Sequence, residues 1–250
     1  MEERPRVVVV NGNASYLGGS PTWDPLRGAA PEFAFVEIDV LKCFAGSAVG
    51  ETIRSAICEE LPRSVAVVAY GEAAGLALEA LSRAGSRVPL VLICPRVVFK
   101  ETLPLRIVRA LVTSGPGANL LTSISARKHR RLLADESYLR QQMSLIVSPS
   151  SISDALIAEA KRRMADPVTA SGVTRAAETV RLILRSIDPA TVARASKVVA
   201  LVTRDIAGRY LRYGIEEKVV DGLGATMIEN PESVAACLRS VVGQSRDPIS

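Results

Sequence analysis

Glycine spacing between Val65 and Leu81 marks the place where this chain could do chemistry. A short apolar run, Val65 to Tyr70, leads into Gly71-Glu72-Ala73-Ala74-Gly75 and then into a helix-forming stretch. Small residues at a strand-to-helix junction allow a tight turn that holds its middle residue above a sheet, at a helix N-terminus. With serine in the middle, such a Gly-x-Ser-x-Gly turn presents a nucleophile. Here the middle residue is Ala73, which has no lone pair to attack with. Main-chain N–H groups of such a turn, near Ala74, can still polarise a carbonyl. A polarised carbonyl acidifies the neighbouring C–H. The proton would then be moved by Glu72, Asp205, a cysteine or the substrate itself. Asn11, at the end of another apolar run, is placed to hydrogen-bond a ligand carbonyl.

Each candidate has a plainer role beside the chemical one. Glu72 is either a general base or a half-exposed polar group. Asp205 either orients a catalytic partner or serves as a turn or capping residue. Cys43 and Cys94 are reactive thiols or inert buried ones, Cys94 being the better placed because it ends an apolar run. His129, the only histidine, is a surface residue or a proton donor. Tyr16, Trp23 and Tyr70 line a pocket or fill the core. The four cysteines (Cys43, Cys58, Cys94 and Cys237) form no C-x-x-C pair, so no metal site and no cofactor is expected.

These residues need elements to position them. Val7–Val10, Phe35–Val40, Val65–Tyr70, Leu90–Cys94 and Val198–Val202 read as five short strands, each apolar and bounded by breakers. Helix-length stretches such as Ala48–Leu61 and Ala73–Ala84 lie between them. Continuous apolar strands alternating with helices predict an α/β fold, a mostly parallel sheet flanked by helices on both faces. The stretch from Val97 to Ser196 shows no convincing strand. Ala155–Met164 and Thr174–Ser186 have the apolar spacing of amphipathic helices. The domain reading is therefore a core of residues 1–95 and 190–250 and a helical cap insertion at 96–189. Gly243–Ser250 reads as a loose tail.

Composition narrows the functions. Of 250 residues, 48% are hydrophobic and 23% charged, as in globular proteins of ordinary composition. A net charge of +5, aromatics at only 4% and a single basic run (Arg127, Lys128, Arg130 and Arg131 around His129) do not make a nucleic-acid surface. That run reads as a solvated helix face. No signal peptide and no apolar stretch long enough to span a bilayer is visible, so a cytoplasmic protein with no membrane partner is expected.

Several segments together resemble the α/β-hydrolase superfamily. Val7–Val10 with Asn11-Gly12 is similar to that family's strand and His-Gly turn, with Asn13 in the place that helps build the oxyanion hole. Trp23-Asp24-Pro25-Leu26 resembles the helix that follows. Asp39 with Phe44-Ala45-Gly46-Ser47 resembles an Asp…Gly-x-Gly-x-Ser turn. Val199–Asp205 resembles the strand that ends in the triad acid, and Gly224–Glu232 resembles the segment carrying the triad histidine. The resemblance covers about Val7–Ala84 and Val198–Val242. It implies Asp205 as the kept acid, with Ala73 in the nucleophile's place and Ala225 in the base's. In the missing triad the chain is similar to atypical members of the fold such as the bottromycin epimerase. The resemblance implies a non-hydrolytic protein that binds a carbonyl-containing small molecule or peptide, in natural-product tailoring as an isomerase, epimerase or cyclase. The alternatives are a non-catalytic ligand- or partner-binding pseudohydrolase, and an acyl transferase or hydrolase using non-standard residues.

Overall fold

The computed structural model describes residues 4–12, 17–39, 49–99, 103–168, 170, 186–195 and 197–244. Asn13, Tyr16, Cys43, the 44–47 turn, residues 245–250 and all but the last residue of the helix expected at Thr174–Ser186 lie outside these. Six parallel strands form one sheet: β1 (Arg6–Asn11), β2 (Ala34–Asp39), β3 (Ser64–Tyr70), β4 (Leu90–Ile93), β5 (Val198–Val202) and β6 (Glu216–Val219). Their order across the sheet is β2-β1-β3-β4-β5-β6.

Strand periodicity decides what each face buries. Val7 and Val9 of β1 pack on one side with Ala66 and Val68 of β3, Val91 and Ile93 of β4, and Val199 and Leu201 of β5. Val8, Val10, Val67, Ala69, Leu90, Leu92 and Ala200 pack on the other. Both faces are covered, so the inner strands carry unbroken apolar runs instead of an alternation. Helices α1 (Ser20–Ala29) and α10 (Pro231–Gln244) contribute Trp23, Leu26, Val234 and Leu238 to the first core. Helices α2 (Val49–Glu60) and α3 (Ala73–Ala84) contribute Ile53, Ile57, Leu78 and Leu81 to the second. Each large apolar side chain buried this way is worth about 1.5–3 kcal/mol.

The sixth strand is absent from the sequence reading for a physical reason. Its residues are Glu216, Glu217, Lys218 and Val219, and as an edge strand it has one unpaired side. Charged side chains there discourage pairing with another chain, and they erase the apolar signature. The C-terminus also differs from expectation: Gly243 and Gln244 belong to α10.

Between β4 and β5 the described chain is helical: α4 (Leu103–Thr113), α5 (Gly115–Ala134), α6 (Glu136–Met143) and α7 (Asp154–Ala165), with the short α8 (Ala190–Arg194) before β5. Side chains cap three of them. Ser114, Asp135 and Ser153 accept from the N–H groups of Gly117, Tyr138 and Leu156. Val98 and Ser186 form an isolated parallel bridge within the stretch expected to lack strands.

One ion pair fastens this segment to the sheet. Arg163 of α7, 7% exposed, donates both terminal nitrogens to Asp39 at the end of β2, each at 3.0 Å. Gly18 makes room for it, because a Cβ there would strike the Arg163 guanidinium. Removing one partner leaves a buried charge unpaired. Arg163→Ala is therefore expected to lower the unfolding free energy by about 3–5 kcal/mol, measured by urea denaturation.

Candidate active site

A sheet whose strand order reverses beside its first strand opens a crevice at the carboxyl ends of its strands. In this chain the reversal lies between β1 and β3. A cavity of ≈ 380 Å³ occupies that end of the sheet. Its floor and walls come from the ends of three strands: Tyr70, the last residue of β3, with Gly71 after it, Cys94 after β4, and Thr203 after β5. Glu72, Arg96, Asp205, Arg209 and Tyr210 add polar groups, and Leu223 and Gly224 close it.

The turn after β3 corrects the expected position of its apex. β3 runs on to Tyr70 and α3 begins at Ala73. The residue with left-handed backbone between them is Gly71, at φ 59. Its N–H continues the sheet by donating to Ile93 O at 3.0 Å, and its own carbonyl accepts from Arg96 N and Ala74 N. A Cβ on Gly71 would meet no atom within 4 Å, and Gly71 lines the cavity. Ala73, the expected middle residue, is instead buried in the first turn of α3 and packs into the core. The glycine spacing alone points to Ala73 as the apex. Counting from the end of the strand selects Gly71, with Ala69 and Ala73 as its small flanks.

A similar shift, by one residue, applies at the other end of the chain. Ala225 is fully buried and caps the short helix α9 (Thr226–Glu229), its N–H donating to Ile146 O at 2.9 Å. The neighbour that lines the cavity is Gly224, at φ 147, where a Cβ would meet only Ile146 O at 3.9 Å. Glu229 holds this loop. Its carboxylate accepts from the N–H groups of Ser148, Leu223 and Gly224 and from the Ser148 hydroxyl.

Main-chain donors also sit differently. Ala74 N–H is engaged with Gly71 O at 3.3 Å and Gly12 N–H with Tyr70 O at 3.2 Å. The expected donor at Ala74 is thus already used. Asn11 is buried, and its side-chain amide donates to Leu17 O, tying the loop after β1. Asn13 lies outside the described residues.

Glu72 follows the apex, caps α3 and faces the cavity with a side chain only 15% exposed. Burial pushes its carboxyl above the usual carboxylate range. Its own backbone N–H and Arg96, 3.1 Å away, oppose that shift without cancelling it. Asp205 is exposed, in a single turn of 3-10 helix, and accepts from the Thr203 hydroxyl at 2.5 Å. Cys94 has left-handed backbone at φ 40, a strained conformation for a residue with a side chain. Burial raises its thiol, with hydrogen bonds to Thr226 and Thr203 acting the other way. The Tyr210 hydroxyl donates to Pro95 O.

His129 is not at this cavity. It is buried between α5 and α7, hydrogen-bonded to the Met164 backbone, and burial lowers its pKa below the ordinary imidazole value. The expectation of a surface histidine is corrected: the cations around it are exposed and the imidazole points inward. No described lining residue is a serine or a histidine. Among the described residues no cluster of His, Cys, Asp and Glu could hold a metal ion, and no helix is long and apolar enough to cross a membrane.

No family model matches the chain, and no curated protein matches it. Solved structures do. The meta-cleavage product hydrolase from Pseudomonas fluorescens superposes with a TM-score of 0.64 at 13% identity, over 97% of this chain and 92% of that one. A hydrolase from Oleispira antarctica gives 0.62 at 13% identity, with the same coverage. The thioesterase domain from the curacin biosynthetic pathway gives 0.61 at 12% identity, over 94% and 91%. At these identities the likeness establishes the fold: α/β-hydrolase-like, a mostly parallel sheet flanked by helices.

Two glycines at the turn after β3, Gly71 within it and Gly12 packed against it, make opposite demands. A Cβ on Gly12 would collide with the backbone N of Ala73 and come within 2.6 Å of Tyr70 O and 2.9 Å of Glu72 N, atoms that cannot move aside. Gly71→Ala is expected to cost only the left-handed backbone penalty, about 1–2 kcal/mol. Gly12→Ala is expected to cost more than this or to prevent folding. Thermal denaturation of the two variants side by side checks the ranking.

Proposed function

We propose that the protein is a non-hydrolytic member of the α/β-hydrolase fold that binds a carbonyl-containing small molecule or peptide and moves a proton next to that carbonyl. Isomerisation, epimerisation and cyclisation are the reactions this covers. The observation that carries the reading is the pairing of a side-chain-free apex, Gly71, with a largely buried carboxyl, Glu72, whose pKa burial raises, on the same wall. Acyl-enzyme chemistry needs a nucleophile and a base within hydrogen-bond reach. The two cavity positions that suit such side chains, 71 and 224, are glycines.

Glu72 takes the acid–base role because a carboxyl with a raised pKa is a stronger base once ionised and a usable acid once protonated. As carboxylate it accepts the proton from the carbon beside the carbonyl. The C–H electron pair moves into the enolate, whose oxygen is stabilised by Arg96 and by the positive N-terminus of α3. The proton then returns from Glu72 to a second carbon in an isomerisation. In an epimerisation, solvent or the Cys94 thiol supplies a proton on the opposite face. Natural-product tailoring is the setting suggested by the resemblance to triad-less members of the fold. The similar fold of a thioesterase domain from the curacin biosynthetic pathway supports that setting.

Non-standard acyl transfer would fall to Cys94. The thiolate is the nucleophile in such chemistry, and burial here favours the protonated thiol. That places it behind proton transfer. A non-catalytic, ligand-binding pseudohydrolase is the other alternative.

Peptidyl esters, thioesters and enolisable ketones incubated with the protein in D2O provide the test. Deuterium gained beside the carbonyl, and reduced about 100-fold or more by Glu72→Gln, is the expected result. Exchange untouched by Glu72→Gln would sink the role of Glu72. Binding without exchange identifies the non-catalytic protein, and labelling by a fluorophosphonate identifies the acyl-transfer one. The pH profile gives a second check. Because Arg96 lowers the Glu72 pKa, Arg96→Gln is expected to move the acidic limb of the exchange rate to higher pH. A carboxyl-detected NMR titration of Glu72 should move the same way.

A further inference from the structure

We infer that the α4–α5 hairpin is a docking surface for an anionic lipid bilayer. The cavity plays no part in this. Leu103, Ile107, Val108 and Leu111 on α4, and Leu120 and Ile124 on α5, are each 46–68% exposed. Scattered exposed apolar residues mean little, but six on two adjacent helices form a surface. On α4, Leu103, Ile107 and Leu111 recur at i, i+4 and i+8, a single stripe. On α5, Leu120 and Ile124 share a face with Arg127 and Arg131, three to four residues on at each step.

Charge selects the occupant. Residues 103–134 contain six Lys and Arg and no Asp or Glu. Arg127, Lys128 and Arg130 are exposed beside the apolar stretch, and Arg131, also exposed, lies over the Tyr138 ring. An apolar stripe on two helices whose charged residues are all cations matches the interface of a bilayer carrying negative headgroups, where aliphatic side chains enter the acyl boundary and cations stay among the phosphates. The segment has no aromatic residue, the usual anchor of a protein–protein hot spot. This revises the expectation of no membrane partner, which rested on the lack of a spanning segment. A hairpin lying on a membrane needs none.

The full chain is to be pelleted with phosphatidylcholine vesicles that contain or lack phosphatidylserine, at low and high salt. Binding only to the phosphatidylserine vesicles, weakened by salt, is expected. The charge pair Arg127→Gln with Lys128→Gln should lower the partition coefficient by about tenfold or more. Ile107→Asp with Leu111→Asp should lower it by at least a similar factor. All four positions are exposed, and circular dichroism checks that both variants fold. Equal binding to neutral and anionic vesicles, no binding to either, or variants that bind like the parent would overturn the proposal. So would a dimer in solution that Ile107→Asp disperses, since it would identify a second copy as the occupant.

Discussion

The cavity depends on how closely the end of β1 approaches the turn after β3. Gly12 lies against the backbone of Tyr70, Glu72 and Ala73, and its N–H donates to Tyr70 O. No side chain fits between them. That contact fixes the turn's height above the sheet, and so it fixes where Gly71 faces and where Glu72 begins α3. Gly71 is then bonded onward to both sides, its N–H to β4 and its carbonyl to Arg96. The floor is therefore main chain held by main chain. Such a scaffold keeps its geometry whatever side chains stand on it.

Electrostatics on that floor is a contest that burial wins. Arg96 and the backbone N–H both favour the ionised form of Glu72, yet removal from water raises its pKa overall. Arg96 is itself well exposed, so solvent screens its attraction. Across the cavity Asp205 stands in the opposite environment, exposed and supplied with a hydroxyl donor from Thr203. Two carboxyl groups in such different surroundings can take different roles in one site.

Most of the sheet was legible because inner parallel strands must be apolar on both faces, and the four inner strands β1, β3, β4 and β5 are. The edge strand β6 was not, because Glu216, Glu217 and Lys218 answer to solvent. At the cavity, the sequence reading and the structure name the same segments and differ in register by one or two residues. Gly71 and Ala73 are both small, and only the backbone dihedrals separate an apex from a first helical turn. Gly224 and Ala225 pose the same ambiguity. Arg96, Thr203 and Tyr210 carried no local signal. They reach the cavity because β4 and β5 end beside β3, and that is a property of strand order.

The helical segment between β4 and β5 divides by the same logic of burial. Its later part is anchored: Leu132, Leu139, Met143, Leu156 and Ile157 join the core, Arg163 pairs with Asp39, and Glu229 holds Ser148. Its earlier part is not. The described apolar side chains of α4 and the first half of α5 find no place in either core cluster. Exposed apolar side chains grouped on neighbouring helices mark an interaction surface, and the cations at the far end of α5 limit what can cover it. His129 marks the boundary. It turns inward between Arg127–Lys128 and Arg130–Arg131, so one turn of α5 faces the core and the basic side of the same turn faces out.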